Sequence, residues 1–101
     1  PRHQEGAQTY PSVDALPAAR LPLAAALVLT PPDTHEALST VLLQNGLHVL
    51  CEKPLAPGIA AAERMLAAAK HAGRRLMMGS KFRYTPDVAR AKELLDQGQC
   101  G

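Results

Sequence analysis

Leu47-His48-Val49-Leu50-Cys51-Glu52-Lys53-Pro54 is the stretch on which the fold turns. Its first five residues, apolar apart from His48, suit a strand inside a sheet, and Gly46 before them supplies a left-handed helix stop. A carboxylate, an ammonium and a proline follow directly. Opposite charges at a strand's carboxyl end lie where open α/β sheets bind ligands. Upstream, Ala24-Ala25-Ala26-Leu27-Val28-Leu29 is a second apolar run. It also ends in turn chemistry, Thr30-Pro31-Pro32, with His35 shortly after. A continuous run of this kind reads as a strand buried on both faces.

Outward from these two strands the pattern repeats. Asp33 reads as a helix N-cap, with Glu36 three residues on in a capping-box-like pairing. Leu38, Val41, Leu42 and Asn45 follow at helical spacing, and Leu43 widens the stripe. After Pro57-Gly58, the Ala-rich stretch from Ile59 to His71 predicts a second helix with Met65, Leu66 and Ala69 on one face, ended by Gly73. Arg74 to Gly79 predicts a third strand. Thr85 as N-cap and Pro86 at the first helical position open a third helix, with Val88, Ala91, Leu94 and Leu95 as its apolar face and Gly98 as its end. Ahead of the first strand, Tyr10 to Leu16 suits a short helix capped by Ser12, and Pro17 and Pro22 punctuate the approach. The order β-α-β-α-β-α describes a parallel sheet of three strands with right-handed helical crossovers, half of a doubly wound α/β fold.

Composition narrows the function. A chain of 101 residues makes one small domain, 47% apolar but only 3% aromatic, so its core is built from Ala, Leu, Val and Met. The net charge is +2, with both signs interspersed and no basic stripe interleaved with aromatics, which argues against nucleic acid. No apolar run reaches about 18 residues, which argues against a membrane span. Pro1-Arg2-His3-Gln4-Glu5 lacks a signal-peptide layout, and the missing initiator Met reads as a chain that begins mid-protein. Cys51 and Cys100 are too few and too far apart for a disulfide scaffold or a zinc knuckle, and the His/Cys spacing offers no metal site. Cys51, inside a strand, reads as a buried reduced thiol and points to a cytoplasmic protein. No Gly-x-Gly-x-x-Gly and no Gly-rich phosphate loop is present.

The chemistry therefore rests on the strand ends. Glu52 can accept two hydrogen bonds from vicinal hydroxyls; Lys53 has three donors and a charge that favours an alkoxide-like oxygen. Both residue types equally suit solvated loop charges. Pro54 fixes the turn after them, and a cis peptide before it is in keeping with such a turn. Thr30-Pro31-Pro32 leaves its strand extended, because a residue before proline is pushed out of the α region, and a rigid wall results. His35 in the first helical turn either points into the same cleft or packs locally. Lys81-Phe82-Arg83-Tyr84 follows the third strand. Arg83 suits a carboxamide or a polyol, and Phe82 and Tyr84 suit either ligand contact or a hinge that packs a helix on the sheet.

The segments LVLTPPDTH (27–35), GLHVLCEKPLA (46–56), AAAKHAGRRLMMGSKFRYTPDV (67–88) and AKELLDQGQCG (91–101) together resemble the Gfo/Idh/MocA family of NAD(P)-dependent oxidoreductases. The resemblance covers the chain from about residue 10 onward. It implies a partial Rossmann-like domain. Residues 1–81 are the C-terminal half of a dinucleotide-binding domain, and 82–101 are a connecting segment and helix. The first βαβ unit, with its glycine-rich turn, and the C-terminal substrate domain are absent. It implies that Thr30, Pro31 and Pro32 line the nicotinamide-ribose region, that His35 lies near the same ribose and supports the wall, and that Glu52 binds ribose hydroxyls. Lys53 is the implied catalytic residue, touching both the ribose and the substrate hydroxyl, and Arg83 reaches toward nicotinamide or substrate. NAD or NADP is the implied cofactor, a sugar or polyol-like small molecule the implied substrate, and a homo-oligomer the implied parent. On this reading the isolated chain is inactive. The alternative is a non-catalytic nucleotide-binding or structural α/β module.

Overall fold

The computed structural model describes residues 8–15 and 22–99. The N-terminal pentapeptide, the end of the expected first helix at Leu16, Pro17 and Cys100 lie outside the described residues. Residues 11–14 bend and turn into a helical Ala15, whose N–H donates to Ser12 O at 3.3 Å, and Val13 packs against the core.

Three strands, β1 (Ala25–Val28), β2 (His48–Glu52) and β3 (Leu76–Gly79), pair in parallel in sequence order. Among the described residues the helices α1 (His35–Gln44), α2 (Ile59–Ala72) and α3 (Pro86–Asp96) follow them in turn. The expected β-α-β-α-β-α order is met. Register aligns Val28 with Cys51 and Met78, and Leu27 with Leu50 and Met77. Side chains alternate along a strand, so these two rows face opposite sides of the sheet.

One side is a core. Helices α1 and α2 pack on each other, and one cluster joins Leu42 and Leu43 of α1, Met65 and Ala69 of α2, and Val28, Val49 and Cys51 of the sheet. Burying a Leu such as Leu43, with none of its surface exposed, stabilises the fold by about 1.5–3 kcal/mol. The other side is bare. Leu27 is 65% exposed and Met77 47%. The expectation that the first strand is buried on both faces is therefore corrected: both crossover helices cover the same face. β1 and β3 are both edge strands.

Local chemistry departs from expectation in four places. Asp33 is not a cap. Residues Pro32–Thr34 form a 3-10 turn before α1, no side chain caps that helix, and Glu36 instead pairs with Arg64 of α2 through Nε–Oε1 at 2.5 Å and Nη2–Oε2 at 2.9 Å. This fork lowers the Glu36 carboxyl below its usual range and ties the two helices together. Leu66 is 54% exposed rather than part of the buried stripe, which runs through Met65 and Ala69. Thr85 occupies the N-cap position of α3, but its hydroxyl turns back to Phe82 O at 2.9 Å. Finally, α3 buries no residue, leaving Val88 and Leu95 exposed. The C-terminal stops hold: Gly46 takes φ 83°, open to glycine at little steric cost, and lets the Leu47 N–H return to Leu42 O.

Candidate functional site

Parallel pairing gathers three carboxyl ends on one edge of the sheet. The first is Thr30–Thr34, after β1. Pro31 is extended at φ −59°, ψ 147°, as proline at position 32 demands. The Thr34 hydroxyl donates to Pro31 O at 2.7 Å, so the Thr30 hydroxyl must be the donor in its 2.6 Å contact with Thr34 Oγ1. Pro31 and Pro32 are exposed. The result is an internally tied, solvent-facing surface with no N–H on either proline.

The second end follows β2. Glu52 is the last residue of the strand, half-buried, on the row that faces the bare side of the sheet. Its register partner is Gly79, and the two are crowded. A Cβ on Gly79 would stand 3.1 Å from Glu52 Oε2 and 3.4 Å from Cys51 O. Glycine at that position is what lets the carboxylate lie across β3. Lys53 is exposed and the Lys53–Pro54 peptide is cis. Among the described residues, neither Glu52 nor Lys53 makes a side-chain hydrogen bond or an ion pair. An acid and a base stand side by side at the end of the central strand with their bonding capacity free.

His35 sits behind this edge, on the helix side, with none of its surface exposed. Its Nδ1 is 2.9 Å from Pro54 O and its Nε2 2.8 Å from Thr30 O. Both ring nitrogens are thus engaged by main-chain carbonyls, and the ring reaches the edge only through the two loops it touches. One turn on, Ser39 is also buried, its hydroxyl without a hydrogen-bond partner. It neighbours Cys51, whose thiol is pushed up chiefly by burial and further by the Glu52 charge. The Cys51 thiol therefore stays protonated and unreactive.

The third end, Lys81–Tyr84, is a 3-10 turn after β3. Arg83 is exposed there, its backbone N–H donating to Ser80 O at 3.0 Å, and its guanidinium makes no hydrogen bond among the described residues. Phe82 and Tyr84 are exposed too, with Lys81 Nζ 5.5 Å above the Phe82 ring, so the pair is not a hinge packed on the sheet. The edge thus carries Thr30, Pro31, Pro32, Glu52, Lys53 and Arg83, with His35 beneath it. Sequence reasoning missed Thr34, Ser39 and Gly79. The signal for Ser39 was available: with His35 it makes a polar pair at i, i+4 on a helix face that should be apolar.

Together these elements are a Rossmann-like partial sheet, one half of a doubly wound dinucleotide-binding architecture. Comparison with known proteins gives the same class and a family. The chain belongs to the Gfo/Idh/MocA oxidoreductases, described as an oxidoreductase family with an NAD-binding Rossmann fold, whose pattern matches residues 2–80. It is 40% identical over 78 residues to inositol 2-dehydrogenase 4 of Saccharopolyspora erythraea, covering 76% of this chain and 23% of that one. Among solved structures it is similar to a dehydrogenase from Bordetella pertussis in complex with NADH and UDP-GlcNAcA. The TM-score is 0.86 at 29% identity, covering 92% of this chain and 27% of that one. It is also similar to a 3-ketoreductase from Actinomadura kijaniata in complex with TDP-benzene and NADP, with TM-score 0.73 at 34% identity, covering 84% and 27%. The chain spans about a quarter of the length of the relatives it matches. Among the described residues no helix is long and apolar enough to cross a membrane.

Proposed function

We propose that this chain supplies the nicotinamide side of the cofactor cleft in an NAD- or NADP-dependent dehydrogenase acting on a hydroxyl-bearing carbon of a sugar, polyol or related small molecule. The observation that carries this reading is Glu52 and Lys53 at the end of β2, without side-chain partners among the described residues, beside the exposed proline wall after β1. The donor set fits the cofactor: a carboxylate free to accept, an ammonium free to donate, and a flat surface without N–H groups.

When bound, the nicotinamide supplies or accepts the hydride. Glu52 would accept hydrogen bonds from the vicinal ribose hydroxyls. Thr30, Pro31 and Pro32 would offer the ring a rigid surface that excludes water. Lys53 would donate to the ribose and to the substrate oxygen, and its charge would stabilise that oxygen as it becomes alkoxide-like. Arg83, on the neighbouring turn, holds the carboxamide or a substrate hydroxyl.

Residues 1–81 are then the second half of the dinucleotide-binding domain, and 82–101 lead toward a substrate domain. The bare sheet face, the unburied α3 and the quarter-length coverage support a longer, homo-oligomeric active protein. The chain alone lacks pyrophosphate-anchoring and proton-transfer groups and should show no useful turnover. A buried free thiol at Cys51 accords with a reducing, cytoplasmic setting.

The test is a full-length protein carrying this chain, assayed for reduction of NAD+ and NADP+ by a panel of inositols, aldoses and nucleotide sugars. Turnover with one of them is expected. Tight dinucleotide binding without turnover on any substrate of the panel would favour a non-catalytic module, and no dinucleotide binding at all would defeat the proposal.

A further inference from the structure

We infer that His35 is a positioning residue: it bolts the proline wall after β1 to the turn after β2 and thereby sets Lys53 against the ring-binding surface. The inference deepens the functional reading above and rests on it.

The β1–β2 register ends at Val28 and Cys51. Beyond that point no main-chain hydrogen bond among the described residues joins residues 29–34 to residues 53–56. The imidazole fills the gap. Thr30 O and Pro54 O are the carbonyls of the residue entering the proline pair and of the residue following Lys53, and the ring spans them at 2.8 and 2.9 Å. A carbonyl oxygen only accepts, so the ring nitrogen that carries the proton donates to the carbonyl it faces while the other edge of the ring packs against the second loop. With no exposed surface and both ring nitrogens facing main-chain carbonyls, His35 acts on the site through the two loops. Its influence is the relative placement of two loops, one presenting the wall and the other presenting the ammonium. Misplacing a reacting group by about 1 Å can cost on the order of 100-fold in rate.

The experiment compares His35→Leu and His35→Gln in the full-length protein. Leucine fills the space and donates nothing; the glutamine amide keeps two N–H donors. In His35→Leu, kcat is expected to fall on the order of 100-fold while the Kd for NADH changes by less than about tenfold, and Gln is expected to restore part of kcat. A kcat within about twofold of wild type, or a loss that Gln does not relieve, would reduce His35 to a packing residue. Should His35→Leu not fold, amide exchange in His35→Asn, whose shorter amide cannot span both carbonyls, decides. Faster exchange at Lys53 and Leu55 with Val49 and Cys51 unchanged supports the bolt, and a uniform change along β2 overturns it. Amide exchange needs no turnover, so a wild type without dehydrogenase activity would defeat the functional reading while leaving the bolt testable.

Discussion

Gly79→Ala separates stability from binding. Gly79 has no left-handed backbone, so alanine fits its conformation, and the change should stabilise the fold by about 0.4–1 kcal/mol by restricting the unfolded chain. The new methyl would meet Glu52 Oε2 at 3.1 Å, Cys51 O at 3.4 Å and Glu52 Cα at 3.7 Å. The last two are backbone and cannot yield cheaply, so the carboxylate moves by a few tenths of an ångström. Hydrogen bonds to a charged group contribute about 1.5–3 kcal/mol each. Distorting the pair made to a ribose should forfeit on the order of 1 kcal/mol, about fivefold in Kd. Gly79→Val, with two further methyls, should drive the carboxylate off its site and weaken binding on the order of 10–100-fold. NADH titration of the full-length protein, followed by fluorescence and paired with thermal melts, reads both effects. A Gly79→Val protein that melts normally and binds NADH within twofold of wild type would refute the claim that Glu52 binds from across β3.

Three further outcomes follow from the packing. The Glu36 carboxyl is lowered by its fork with Arg64, so its stabilising effect is complete above the unfolded value near 4.5 and is lost as pH falls through the lower folded value. Glu36→Gln should therefore flatten the acid limb of a urea-midpoint-versus-pH curve and leave its neutral part nearly level, and an unchanged acid limb would show the fork to be inert. Leu43→Ala empties a fully buried site and should cost about 2–5 kcal/mol, measured by denaturant unfolding; a cost under about 1 kcal/mol would mean the core is loosely packed. The isolated chain, with Leu27 and Met77 on a bare face and β1 unpaired on one side, should self-associate in sedimentation, and Leu27→Lys should suppress it. A monomeric wild-type chain with sharp two-state melting would contradict this.

Element order and the edge chemistry were legible because they rest on local signals. Glycine stops, the apolar run 47–51 and the Ala-rich 59–71 each name their own structure, and parallel pairing then brings Thr30–Pro32, Glu52 and Lys53 to one edge. What was not legible depends on partners distant in sequence. The Asp33–Glu36 capping pair is locally plausible, but Pro31–Pro32 enters α1 through a 3-10 turn, and Arg64, in another helix, takes the carboxylate. The apolar run 24–29 looks buried on both sides, yet burial depends on which face the helices cover, and both cover one. The two contacts of the His35 ring were hidden for the same reason: they lie on separate loops, one of them nineteen residues away.

The account stands or falls on the ammonium of Lys53. Lys53→Met keeps the length of the side chain and removes its donors and charge. In the full-length protein, kcat should fall on the order of 10²–10³-fold while NADH still binds within a few-fold of wild type. Turnover preserved to within about tenfold, with the cofactor bound normally, would mean that the lysine at the end of β2 does not act on the reacting oxygen.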